Sequence, residues 1–515
     1  MSHHWLHTLA IETPIIFLGL ALLFGRQPYR WPDAVAFLPA ICALATVGAY
    51  AWAGGSSADI AHGYMAEVHL DPLSLTLLLL ISTIGGVVMV FSRQYLRGDP
   101  RHGEFMCQLA LIFAAVSTLA IAGNLYLMML AWVAMSLCLH QLLKFRTERP
   151  GAQIAARKKY FLARFGDLSL VLAFGILIDT LGTADLHEIL ELLRAADGSE
   201  NQLALGLAAG LIAVTAILKS AQFPVHGWLV EVMETPTPVS AVLHAGVVNA
   251  GGFLFLRFSE LMTLTPSVSW AVAGIGIVTA IVGAAMMLAQ PTIKGSLAYS
   301  TVAQMGFMMA QCGLGAYTAA LVHLVGHSLY KAYAFLSSGD AVADARKYRW
   351  AEVRGSRLEL SGGILLGTML TLYAAIGWLF GVTWQSMPVA TTLGAIFVMG
   401  TWLLAGNGQP TRQITGYLVI AMAACSAVYF GVQKGATVLF ANVFATSPEP
   451  TVAVHALLAA LLLGCLALIV TQGRGRGLQG TRLANLQHHL SQGLYINLIA
   501  NRSLNAYRTS RTNAV

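Results

Sequence analysis

Charge is what this sequence has least of. Asp, Glu, Lys and Arg make up 10% of its 515 residues, against roughly 25% in soluble globular chains. A surface that poor in charge does not face water, which excludes a soluble enzyme and a disordered tail. Cysteine is scarce as well. Cys42, Cys107, Cys138, Cys312, Cys425 and Cys465 contain no C-x-x-C pair, which argues against iron–sulfur clusters, structural zinc and a secreted disulfide scaffold. All but Cys107 lie inside apolar stretches and read as buried packing thiols. No glycine-rich phosphate loop follows a strand pattern, so Gly206 and Gly210 read as helix-packing positions. Segments of about 10 residues alternating in polarity, the mark of a membrane β-barrel, are missing too.

What is present is apolar. Hydrophobic residues make up 57% of the chain and the mean hydropathy is +0.68. At about 20 residues per span plus a short loop, there is room for roughly 14 to 16 helices. Runs near 8–25, 34–53, 72–92, 105–122, 124–145, 158–180, 203–221, 238–259, 266–289, 292–312, 314–340, 360–381, 387–406, 413–435 and 451–471 fit this count. The fold class is therefore an all-α polytopic membrane protein with about 15 transmembrane helices, and the lipid bilayer is its first partner. The first segment lacks a basic leader and a small-residue cleavage site, and is expected to stay as a membrane helix.

The net charge of +7 does not point to nucleic acid, because the cations sit in short loops between apolar runs and set topology there. Arg26 and Arg30, then Arg93, Arg97 and Arg101, then Lys144, Arg146, Arg149, Arg157, Lys158 and Lys159, then Arg346 to Arg357, and finally Arg474, Arg476 and Arg482 fall on one side if the amino terminus is outside. The loop with Asp185, Glu188, Glu191, Asp197 and Glu200 falls on the other. The basic tail would then be cytoplasmic, with an amphipathic stretch over Leu486 to Leu498 suited to a partner or the membrane surface.

Ionisable groups inside the apolar runs cost at least about 2.5–3.5 kcal/mol each on insertion scales, so each asks for a reason. Lys219 lies about one turn before Pro224, which cannot donate to the helix ladder and leaves carbonyls free. Broken helices of this kind mark ion sites in transporters; a snorkelling lysine at a helix end is the bland alternative. Pro236 and Pro238 start the next helix, where missing donors do no harm, and His244 sits nearly two turns in. A neutral imidazole there can relay protons, or simply be a buried histidine held by a carbonyl. His323, His327 and Lys331 are spaced by four and share one helix face, which suits stepwise proton transfer. A zinc site and a structural stripe are its rivals, but the motif has no carboxylate or cysteine and Lys331 repels a cation. Asp167 needs a cationic partner, with Arg164 and Lys219 as candidates. Lys294, near the start of its helix, is either an access point for protons or a snorkelling residue. No Ser/His/Asp triad is supported, so the chain is read as a transporter subunit and not as an enzyme, with no cofactor of its own.

The same segments carry a resemblance. Lys219-Ser220-Ala221-Gln222, His226-Gly227-Trp228, Pro236-Thr237-Pro238-Val239-Ser240-Ala241 with His244-Ala245, Leu70-Asp71-Pro72-Leu73-Ser74, Arg164-Phe165-Gly166-Asp167, the run Ile293 to Thr301 and His323 through Lys331 resemble the antiporter-like membrane subunits. This is the family of the respiratory complex I L subunit and the Mrp-type sodium/proton antiporters. The resemblance implies two inverted five-helix repeats, each with a broken helix, over 101–262 and 263–408. They would be flanked by helices over 1–100 and 409–472 and by a cytoplasmic tail over 473–515. It implies that Lys219 is the central proton carrier, that His244, His323 and His327 relay protons, and that Lys331 continues the path. Two departures matter. The family's fifth-span glutamate after a tryptophan is Val133 here, and the twelfth span, Gly362 to Trp384, lacks the family's lysine.

A short member with these gaps, without room for a long lateral helix, is similar to the membrane subunits of DAB-type inorganic-carbon accumulation systems. That resemblance implies a large cytoplasmic zinc-binding partner resembling a β-carbonic anhydrase, and a place in the bacterial inner membrane with the amino terminus periplasmic. Ion flow through this chain would drive hydration of carbon dioxide to bicarbonate in the partner. The alternatives are a proton-pumping subunit of a redox-driven complex such as NADH:quinone oxidoreductase or a membrane hydrogenase, an Mrp-type cation/proton antiporter subunit, and an anchor whose polar axis no longer conducts.

Overall fold

A computed structural model describes residues 4–26, 31–54, 68–146, 150–196, 201–232, 235–339, 371–381, 412–445 and 482–502, with isolated residues between 456 and 464. Among these residues there is no β-strand, only the isolated backbone pairings Val68–Ala122 and Asn124–Asp185. Helices α1 (His4–Arg26), α2 (Leu38–Trp52), α3 (Pro72–Tyr95), α4 (His102–Ile121), α5 (Leu125–Leu143) and α6 (Pro150–Leu181) come first. Then follow α7 (Leu186–Ala195), α8 (Gln202–Lys219), α9 (Gly227–Glu231), α10 (Thr237–Ala245), α11 (Ala250–Arg257) and α12 (Ser259–Leu264). Next come α13 (Pro266–Ala289), α14 (Ile293–Gly313), α15 (Tyr317–Leu336), α16 (Arg412–Leu439) and α17 (Arg482–Ser491). Ten helical segments among the described residues are long and apolar enough to cross a membrane. The first eleven spans expected from the sequence each coincide with helix, as does the fourteenth. The first half of the twelfth, the thirteenth, most of the fifteenth and the loop over 346–357 lie outside the described residues; the described half of the twelfth is helical over 371–379, and the rest of the stretch in which its lysine is missing lies outside them.

Helices begin where a polar residue interrupts an apolar run. Asp71 accepts from Ser74 N at 2.7 Å with Pro72 behind it, and Asn124 accepts from Leu127 N at 2.7 Å. Thr292 accepts from Gly295 N at 3.1 Å. Each cap satisfies an amide that the first turn leaves without a partner.

Contacts divide the chain into two compact units. One is Met1–Ser269 with His323–Ser337 and Asn442–Ala445; the other is Trp270–Val322 with Ser338–Ala441 and Thr446–Val515. In the first, the stretch expected as an acidic loop contains the amphipathic helix α7. Asp185 caps it, and Leu186, Ile189, Leu190 and Leu193 are its buried face. Arg257 ends α11 in a buried ion pair with Asp71 (2.7 Å) and donates to Ser74 Oγ (2.7 Å). In the second unit, α13 and α14 touch backbone to backbone. A Cβ on Gly306 would stand 2.5 Å from Ala280 N and 2.7 Å from Gly276 O, the close approach that small residues permit between membrane helices.

Three sequence expectations are corrected. Lys158 and Lys159 are not loop cations. The helix starts at Pro150, two turns earlier than the apolar run suggests, and both ammonium groups are buried. Cys138 is half-buried and Cys425 exposed, because an apolar thiol in a membrane helix faces lipid as readily as protein. The amphipathic stretch over Leu486 to Leu498 is not one helix: α17 ends at Ser491, and Gly493, Leu494 and Tyr495 all have left-handed φ. Gly493 approaches Tyr299, whose Oη lies 2.5 Å from where a Cβ would be.

Candidate functional site

Lys219 is the last residue of α8, and the chain leaves the helix immediately after it. Ala221 takes a left-handed φ of 50°, a conformation that costs a non-glycine residue about 1–2 kcal/mol. Gln222 N reaches back to Ile217 O at 3.2 Å, Pro224 lies in the following turn, and α9 resumes at Gly227. The second interruption is one the sequence did not reveal. Pro236 and Pro238 stand at the start of α10, but the apolar run continuing to Arg257 breaks at Gly246, and Val247–Asn249 form a 3-10 turn before α11. The two interruptions are tied together, since Ser220 Oγ donates to Val248 O at 2.8 Å. Gly251 is obligatory there, because a Cβ would lie 2.6 Å from Ala216 O.

Asp167 lies on α6 with one oxygen accepting from Trp132 Nε1 (3.0 Å) and the other ion-paired with Arg164 (2.5 Å). Of its two candidate partners, Arg164 is thus the direct one. Lys219 and Asp167 line the same cavity, and Lys219 Nζ lies 4.6 Å from the centroid of the Trp132 ring. Val133, next to that tryptophan in the chain, is half-buried. The carboxylate of this site, Asp167, comes from α6. Trp132, Lys159, Asp167, Thr215, Lys219 and Trp228 surround a cavity of about 20 Å³, room for one water molecule.

His244 is fully buried, its ring stacked on Phe335 at 4.4 Å between centroids. His327 and Lys331 are buried on α15, and both lie within electrostatic reach of His244. His323 is half-buried one turn away, its ring 6.0 Å from that of His327. Asn249 Nδ2 donates to Ser328 Oγ at 2.8 Å and so joins the α10–α11 interruption to α15. The structure thus gathers Asp167, Lys219, His244, His323, His327 and Lys331 in the first unit. Lys294 belongs to the second unit, half-exposed in the first turn of α14. Among the described residues, no group of three or more His, Cys, Asp or Glu is placed to hold a metal ion.

Sequence reasoning missed three members. Trp132 was noted only as the neighbour of a missing glutamate. Lys159, which donates to Ser136 O (2.6 Å) and Ser136 Oγ (3.1 Å), was counted with the topogenic cations. Glu231, paired with Lys158 at 2.8 Å, was not singled out. The available signal was the start of α6: its apolar neighbours Ala155 and Ala156 already repeat with helical spacing toward Leu162 and Phe165.

Residues 122–355 match the family described as NADH:quinone oxidoreductase/Mrp antiporter, TM, and residues 61–106 match that of the complex I chain 5 amino terminus. A relative from Halothiobacillus neapolitanus, named "Probable inorganic carbon transporter subunit DabB2", is 36% identical over 485 residues, covering 92% of this chain and 87% of the relative. The chloroplast NAD(P)H-quinone oxidoreductase subunit 5 of Nandina domestica is 37% identical over 331 residues, 64% of this chain but 43% of that one. A chain in the structure of the Mrp complex from Dietzia sp. DQ12-45-1b has the same fold. The TM-score is 0.67 with 24% identity, over 99% of this chain and 60% of that one.

Proposed function

The chain belongs to the family of antiporter-like membrane subunits shared by NADH:quinone oxidoreductases and Mrp antiporters, and from that premise we propose that it conducts protons as the membrane subunit of an inorganic-carbon uptake complex. The observation that carries the reading is the series of buried ionisable groups inside apolar helices. Asp167, Lys219, His244, His327 and Lys331 are all buried. Burying amines and imidazoles in a membrane bundle is costly, and groups that can hold or release a proton at each step supply the reason. Lys219 and Asp167 form the first station, His244 and His327 the relay, with His323 beside it, and Lys331 continues it. The interruptions at Pro224 and Gly246 leave main-chain carbonyls for water along the way. Lys294 is the proposed access group of the second repeat.

The relative of H. neapolitanus supports the carbon assignment over the redox-driven alternative, because it aligns over 87% of its length while the chloroplast subunit aligns over 43%. The partner in this reading is a large cytoplasmic zinc-binding subunit resembling a β-carbonic anhydrase. Proton entry would drive its hydration of carbon dioxide to bicarbonate, and the chain itself carries no cofactor. The complex sits in the bacterial inner membrane with the basic loops and the tail over 473–515 cytoplasmic.

Lys219→Ala and Lys331→Ala test the route. Each is expected to abolish carbon accumulation in cells while the complex still purifies intact; normal accumulation by both variants sinks it. A co-purifying set of flavin and iron–sulfur subunits, in place of one large zinc protein, would favour the redox reading.

A further inference from the structure

The first station holds a second amine. Lys159, 3% exposed, lines the same 20 Å³ cavity as Lys219, which is 7% exposed. The charges facing this cavity do not balance if both amines are protonated. Asp167 is the one carboxylate among the described residues that lines it, and it is already ion-paired with Arg164, whose side chain lies outside the lining. Two ammonium groups would then share a desolvated pocket with no further anion, which burial makes costly. The two amines differ in their partners. Lys159 Nζ donates to Ser136 O at 2.6 Å and to Ser136 Oγ at 3.1 Å, contacts that the ammonium and the neutral amine can both make. Lys219 Nζ makes no hydrogen bond among the described residues and rests over the π face of Trp132. An anion could also neutralise such a pocket, but the cavity takes about one water and is too small for bicarbonate.

We propose that Lys159 is a proton-carrying residue paired with Lys219, the two amines sharing one proton across the water-sized cavity. The step conserves charge. An Nζ–H bond of the Lys159 ammonium breaks and its proton passes to a water in the cavity. A proton of that water then forms an N–H bond to Lys219 Nζ, leaving Lys159 a neutral amine held by Ser136. The Asp167–Arg164 pair stays ionised throughout and fixes the pocket's charge, so that one amine gains what the other loses. Residues Cys138 and His140 on α5 are the other titratable groups within the field of Lys159. The proposal rests on the proton-conducting reading, and the two can be told apart.

The test uses the full chain, purified with whatever subunits accompany it and reconstituted in vesicles. Lys159→Met keeps the length of the side chain without an amine. Lys159→Arg keeps the charge and the donors to Ser136 but cannot release its proton. Both are expected to lose proton flux by at least about tenfold, the effect of a barrier raised by 1.4 kcal/mol. A purely structural or electrostatic role would be rescued by arginine, so normal flux in Lys159→Arg overturns the proposal. The second readout needs no flux: the Lys219 Nζ resonance, followed by NMR of nitrogen-labelled lysine, is expected to change its titration in Lys159→Met. An unchanged titration overturns the proposal whatever the flux does. A wild-type complex that shows this coupling but passes no protons refutes the conducting reading and leaves the shared proton standing.

Discussion

At the scale of single residues, Trp132 does two jobs with one side chain. Its indole N–H satisfies Asp167 and its face receives Lys219. The two can be separated. Trp132→Phe keeps the ring and removes the donor, and is expected to cost about 1–3 kcal/mol for the orphaned carboxylate oxygen. Trp132→Leu also removes the face, and should cost roughly 2 kcal/mol more, the size of a desolvated cation–π contact. Thermal unfolding in detergent ranks the three proteins; equal melting of both variants would deny the ring any part in holding Lys219. Asp71 is the other residue whose surroundings dictate its state. Burial opposes its ionisation, but the Arg257 guanidinium, His69 and the Ser74 N–H outweigh that and hold its carboxyl well below the usual carboxylate range. A depressed folded value means stabilisation that is present above the unfolded value of about 3.9 and fades only as pH falls through the folded one. Acidification from pH 7 to 5 is therefore expected to leave this pair intact. Asp71→Asn, which strands a buried Arg257, should cost about 3–5 kcal/mol at either pH. A melting curve of that variant that converges on wild type at pH 5 would contradict this.

Helices and their interruptions are the scale at which sequence reading did best and then stopped. Apolar runs bounded by Asp71-Pro72, Asn124 and Thr292 gave helix positions to within a few residues, because in a membrane the backbone has no alternative to helix. Where charge enters an apolar helix, composition misleads. Lys158 and Lys159 read as loop cations because a window average cannot tell a lysine snorkelling to water from one bonded to Ser136. The interruption at Gly246 was also invisible, since a glycine in an apolar run is equally a packing position. Asp167 and Lys219 could be named as neighbours, but the ring that touches both could not, because Trp132 comes from a third helix. Glycine contacts make the testable claim at this scale. Gly306→Leu would push α14 off α13 at Gly276 and Ala280 and is expected to destabilise by about 1–3 kcal/mol. Gly251→Leu, pressing on Ala216 and Ser220 beside Lys219, should lower proton flux more than it lowers melting temperature. Parallel losses in both would mean the junction is only structural.

Over the whole molecule, the proposed orientation makes opposite claims about two exposed side chains. With native cysteines replaced, Arg97→Cys should react with a membrane-impermeant thiol reagent only in inside-out vesicles. Glu191→Cys should react only in right-side-out cells, since both positions are exposed in the structure. Labelling from the opposite sides would invert the topology, and with it the side on which a soluble partner must bind.

The ion pair between Asp71 and Arg257 joins residues 186 positions apart in the chain. At the usual rate of about 5–20 residues per second, Arg257 leaves the ribosome roughly ten to forty seconds after Asp71. For that interval α3 is complete and capped but has nothing to lock against, and its aspartate waits at the water's edge. Arrival of the arginine closes a clasp around every helix made in between. Assembly of the helices from α3 to α11 therefore has a step timed by synthesis itself, and a chain stalled before residue 257 would be an unclasped bundle, open to the cell's membrane proteases.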